Sequence, residues 1–157
     1  MLYASRQLLT SGFRGTLAIA LLAGIAHASI DKDAREAFEA AQNHIAGRDL
    51  RSAKVELLNA VAAEPEWIEA QLKLAEVALE LFDPVTAREH IDKAIKLGAP
   101  ETAYSHLLGH ALWLSGEADK AEAVLTQRTV ARANMAYAYR ILGRVYMDQG
   151  DTIAAGR

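Results

Sequence analysis

The sequence predicts an all-α protein, an α-solenoid of antiparallel helix pairs, and three observations predict it. Alanine supplies 32 of the 157 residues and much of the 52% apolar fraction, whereas aromatics make up 6% and prolines number only three, a mixture that favours helix over sheet. Small and aliphatic residues recur at a fixed spacing of 34 without an insertion. Residues suited to helix ends fall at fixed places in the same register. The length suits one folding unit with a sizeable core or a few stacked repeats, and not two independent domains.

The smallest residues carry the period best. Ala41, Ala75, Gly109 and Gly143 lie 34 apart, as do Ala53, Ala87, Ala121 and Ala155. Leu57, Ile91 and Leu125 form a third series, and Leu74, Leu108 and Leu142 a fourth. Two helices approach closely only where their contact points are small, so these alanines and glycines mark crossings, and the leucines and isoleucines fill the space around them. Asp49, Asp83 and Asp151, with Glu117 in the third unit, place an acceptor or negative charge where a second helix begins. Pro84 suits a first helical turn, and Gly116 and Gly150 suit the left-handed turn that closes a first helix. The expected helices are 33–47, 50–63, 67–81, 84–97, 101–115, 118–131 and 134–149, with an eighth beginning near 152. Because the chain stops about halfway through that eighth helix, it reads as a fragment of a longer protein; the alternative is a C-terminus covered by something else.

This register resembles the tetratricopeptide repeat (TPR), a 34-residue helix–turn–helix. With units numbered from Ala34, Ile68, Thr102 and Ala136, the family pattern is met most fully by Tyr139, Leu142, Gly143, Tyr146, Gly150, Asp151 and Ala155 of the fourth unit. The first unit supplies Ala41, Ala53, Leu57, Ala60 and Pro65, and the second Leu74, Ala75, Ala87, Ile91 and Ala94. Departures are Ala37 and Ala40 at the bulky and leucine positions, Phe82 for glycine, Arg128 for alanine, and Pro100 one position late. The resemblance covers residues 34–157 and implies a right-handed superhelix of about 3.5 repeats.

Residues 1–28 read as an address. Arg6 and Arg14 precede the uncharged run Leu17 to Ile25, and Ala26-His27-Ala28 stands before Ser29, the three parts of a secretory signal peptide. The run is shorter than the roughly 20 residues that cross a bilayer. Cleavage after Ala28 and export to a bacterial periplasm are expected; an uncleaved inner-membrane anchor and a mitochondrial presequence are the alternatives. Leu22-Ala23-Gly24 is followed by Ile25 and not cysteine, so a lipid anchor is not supported. The chain has no cysteine, which excludes disulfides, thiol nucleophiles and cysteine-ligated metals. Beyond residue 28 there are 15 basic and 20 acidic side chains, a net charge of −5, which argues against nonspecific binding to nucleic acid or anionic lipid.

The resemblance implies that a protein or peptide partner lies in a concave groove lined by first helices. By position, the groove takes Phe38, Gln42 and Ile45, then Leu72, Glu76 and Leu79, then His106, His110 and Trp113, and finally Tyr137, Arg140, Arg144 and Met147. Aromatic anchors with a few polar groups suit an extended or helical peptide, and the two arginines suit carboxylates on it. The same apolar residues also suit packing between repeats. His106 and His110, four apart on a helix, have metal-chelating spacing, but the position of a protease base is Leu107; groove or surface histidines are expected, with no metal and no cofactor. No phosphate-binding glycine loop or nucleophile elbow is present. The expectation is therefore a non-catalytic scaffold in a bacterial envelope assembly. The alternative is the substrate-holding arm of a larger enzyme or export component whose functional domain lies beyond residue 157.

Overall fold

A computed structural model describes residues 30–127 and 129–150. Its helices are α1 (Lys32–Ala46), α2 (Leu50–Ala63), α3 (Ile68–Glu80), α4 (Pro84–Lys96), α5 (Glu101–Leu114), α6 (Ala118–Leu125) and α7 (Met135–Asp148), the last entered through a short 3₁₀ turn, Arg132–Asn134. No strand occurs among the described residues. The protein is an all-α helical-repeat solenoid: α1/α2, α3/α4 and α5/α6 are antiparallel pairs, and α7 is the first helix of a fourth. The leader expected over 1–28 and the helix expected from 152 lie outside the described residues.

Helix ends follow from local chemistry. Asp31, Asp49 and Asp83 are N-caps whose carboxylates accept backbone N–H groups, Ser52 at 3.1 Å and Thr86 at 3.0 Å among them; each satisfies a donor the helix cannot. Pro84 opens α4 at a position where no amide hydrogen is missed. Each first helix closes through one left-handed residue, Arg48, Phe82, Gly116 and Gly150, at φ of 61°, 59°, 78° and 79°. The next amide reaches back five residues, Asp49 to His44 at 2.8 Å, Asp83 to Ala78 at 2.9 Å and Glu117 to Leu112 at 2.9 Å, the geometry of a Schellman close. The 34-residue period is thus present in the backbone even where the glycine is not.

Packing follows the small-residue series. Ala41, Ala53, Ala75, Ala87 and Ala121 have no exposed surface, and Leu57, Leu74 and Ile91 beside them are fully buried, each such aliphatic contributing about 1.5–3 kcal/mol. At Gly109 the approach is tight, because a Cβ there would lie 2.5 Å from Leu125 Cδ2 and Leu125 would have to shift. One element differs from expectation: α6 ends at Leu125 instead of 131. The position filled by the wholly buried Ala60 and Ala94 in the first two units is Arg128 in the third, so the register supplies no small residue there to continue the helix crossing. The chain leaves the helix first. Val130 is buried instead, and Ser105 Oγ on α5 donates to the Thr129 carbonyl at 3.2 Å.

The first helices meet across units, α3 on α5 and α5 on α7, whereas the second helices pack on their own first helix and on the one that follows. Elements on the inner side of a curved stack approach one another most closely, so α3, α5 and α7 form the inner layer. Functional side chains on that layer are therefore brought together from different repeats.

Candidate functional site

The residues that the register assigns to the groove divide into two groups. In the first two units most are structural. Phe38 is buried against Trp67, ring centroids 4.5 Å apart, and Leu79 is buried in the α3–α5 core. Leu72 and Ile45 are half-buried against those cores. Phe38 and Leu79 thus offer a partner little surface, because inner-layer apolar residues are what adjacent repeats bury between them. Gln42 is exposed, and Glu76 is held by Lys73 on its own helix at 2.7 Å.

The third and fourth units bring their residues together. Tyr137 on α7 lies between the two histidines of α5, with ring centroids 5.4 Å from His106 and 5.5 Å from His110. Its hydroxyl is 2.5 Å from His110 Nδ1, and Asn134 Nδ2 is 3.2 Å from His106 Nδ1. Burial lowers the pKa of both histidines, His110 to about 4, against a smaller opposing pull from Glu80; burial likewise pushes the Tyr137 phenol up. A neutral imidazole beside a protonated phenol has the Tyr137 O–H donating into Nδ1. The histidine pair therefore docks α7 onto α5, with both Nδ1 atoms engaged by protein. Among the described residues, no group of three metal-ligating side chains converges.

Around this buried knot stands a rim of charge. The Arg140 guanidinium lies 4.8 Å from the Tyr137 ring centre, and that of Arg144 lies 5.3 Å from the ring centre of Trp113. Trp113 is fixed in turn by Nε1 donating to Asp148 at 2.7 Å. Stacking on a ring immobilises a guanidinium while leaving its N–H edges available. Arg140 donates to Glu80 at 3.1 Å, a bridge from α3 to α7 across 60 residues of sequence. Below them is a cavity of about 50 Å³ lined by Leu79, Glu80, Phe82, His110, Arg140, Ile141 and Arg144. Met147, farther along α7, is exposed.

Residues 102–127 match the family model of the tetratricopeptide repeat. The match begins at Thr102, the first position of the third unit in the 34-residue register, and covers α5, α6 and the turn between them. Tetratricopeptide repeats are protein-interaction modules as a class. No curated protein matches the chain. Glu80 and Phe82 were not among the residues the repeat pattern assigned to the groove. Phe82 did carry a signal, an aromatic at the glycine position of the turn; Glu80 carried none, since its reach to α7 depends on how tightly three first helices stack.

Proposed function

We propose that the chain is a non-catalytic scaffold that holds a polypeptide partner along the inner surface of α3, α5 and α7. Immobilised arginines and aromatics gathered from separate repeats carry this reading. Arg140 and Arg144 stand on Tyr137 and Trp113, and preorganised side chains bind with less entropic loss than free ones. The alternation of buried aliphatics with exposed polar groups suits peptide recognition, in which a few anchors supply most of the affinity.

The place of action we propose is the far side of a bacterial inner membrane, within an envelope assembly. The charge and hydropathy pattern of residues 1–28 supports that placement. No helix among the described residues is long and apolar enough to cross a membrane.

The test is site-specific photo-crosslinking of the full chain in cells. A photoreactive residue at Glu80 or Met147, exposed on α3 and α7, is expected to capture a discrete partner, whereas one at Glu89 or Lys93, on the exposed side of α4, is not. Equal labelling from both sets of positions overturns the assignment to the inner surface.

A further inference from the structure

The turn between α3 and α4 differs from its counterparts in the side chain it exposes. Phe82 has φ of 59° and is 69% exposed. A left-handed conformation is strained for any residue with a Cβ, and a bulky aromatic held there at the surface points to a use for the side chain. Arg48 shares the conformation, with a side chain that water solvates; Phe82 instead is an exposed aromatic that lines the cavity together with Arg140 and Arg144.

Charge at that mouth is unbalanced. Two guanidinium groups and one carboxylate, Glu80, line the cavity; Glu80 pairs with Arg140 in an exposed bridge, and Asp148, one turn from Arg144 on α7, accepts from Trp113 Nε1. Among the described residues no carboxylate pairs with Arg144. Around this basic spot the protein beyond residue 28 carries a net charge of −5. Long polyanions are repelled by the body as a whole, while one or two carboxylates set among apolar residues meet only the local charge. A cavity of about 50 Å³ lined by both guanidinium groups has room for a carboxylate group, and an adjoining apolar side chain can lie on Phe82.

We propose that Phe82, Arg140 and Arg144 form a seat for a short acidic segment of a partner polypeptide. One carboxylate goes to Arg144, an adjacent apolar side chain rests on the Phe82 ring, and Glu80 competes from within the chain for Arg140. The proposal rests on the inner surface being the binding face and adds the chemistry of what binds there.

The probe is a fluorescein-labelled octapeptide with two glutamates flanking a leucine, titrated into the full chain by anisotropy alongside its glutamine counterpart. The acidic peptide is expected to bind about tenfold more tightly than the glutamine one, the worth of one charge-assisted pairing, and to weaken as salt rises. Arg144→Gln and Phe82→Gly should each weaken it by a comparable factor, and Glu80→Gln should tighten it two- to threefold, to about the extent an exposed ion pair had opposed it. Phe82→Gly should leave the melting temperature unchanged or raised, because glycine relieves the strain; a purely structural phenylalanine would give a lower one. Equal binding of the two peptides, absence of binding, or wild-type affinity in both Arg144→Gln and Phe82→Gly overturns the seat. So does a concentration-dependent dimer abolished by Phe82→Gly, which would make the occupant a second copy. Groove crosslinks that persist in Phe82→Gly would leave the scaffold reading standing without the seat; their loss from wild type would remove both.

Discussion

The junction between the first and second repeats and the one between the third and fourth use the same register with opposite chemistry. In the former, Phe38 packs on Trp67 and the surrounding core is alanine, leucine and valine. In the latter, the position of Phe38 is His106 and that of Gln42 is His110, both buried, His110 hydrogen-bonded to Tyr137 of the next unit and His106 to Asn134, the residue just before α7. A solenoid junction can therefore be polar at little cost in order, provided each buried nitrogen has a partner. It acquires sensitivities that an apolar junction lacks: dependence on pH, and dependence on the fixed positions of its partners. It also gains a charged rim, since α7 carries its arginines on the turns next to Tyr137.

The largest break in the third unit comes from its tightest contact. Gly109→Val places a branched side chain where even a methyl group would lie 2.5 Å from Leu125 Cδ2. A loss of about 3 kcal/mol is expected from chemical denaturation, at the upper end of overpacking costs. Adding Leu125→Ala should return part of it, so the double variant is less destabilised than the sum of the singles. Additive losses would mean that this contact does not set the α5–α6 spacing.

Acid sharpens the contrast more gently. His110 has its folded-state pKa lowered from 6.5 to about 4, chiefly by burial, with Glu80, Arg140 and Arg144 facing it. The unfolded chain therefore takes up a proton at higher pH than the folded one, and stability is complete above about pH 6.5 and declines as pH falls towards 4. A decline of about 2 kcal/mol is expected over that window, and His110→Gln should flatten it. The remainder belongs to His106 and to His90, which burial also lowers. His90 Nδ1 donates to Gln71 Oε1 at 2.6 Å, and Gln71 Nε2 donates on to the Pro65 carbonyl at 2.8 Å. An unchanged slope in His110→Gln would move the acid sensitivity to His106 or His90.

How much of this was legible in the sequence depended on the range of the interaction. Ala53, Ala87 and Ala121, or Asp49 and Asp83, act on neighbours a turn or one helix away, and their spacing alone placed six of seven helices to within two residues. The end of α6 was missed because helical propensity continues past Leu125 while the repeat's small residue does not recur at 128. At the site, the register identified Tyr137, Arg140, Arg144, His110 and Trp113 as inner-layer residues. It could not distinguish buried from exposed members of one stripe, so Phe38 and Leu79 stood beside Gln42. The Glu80–Arg140 bridge was beyond reach, since it joins two repeats that are not sequence neighbours.

The smallest expected effect separates the first inter-repeat strut from the second. Lys54 on α2 reaches across to Asp83, the N-cap of α4, at 2.7 Å, with both side chains about two-thirds buried or more. Thirty-four residues on, Arg88 and Glu117 occupy the same two positions, but Arg88 lies 3.9 Å from Asp92 and Glu117 pairs with Lys120, so the strut is open. The closed strut holds the Asp83 carboxyl at a pKa of about 2, through hydrogen bonds from Lys54 first and Thr86 second. Its contribution is present above the ordinary aspartate pKa, near 3.8, and is lost as pH falls through 2. Lys54→Met should cost about 1 kcal/mol at neutral pH, a partly buried pair standing at the upper end of the range for surface ion pairs. The difference from wild type should vanish below about pH 2, where Asp83 is protonated in both. Arg88→Met, which removes only an exposed contact, should cost less than about 0.5 kcal/mol. Equal losses in the two variants would mean that the second strut closes in solution, and that the first two inter-repeat junctions are electrostatically alike.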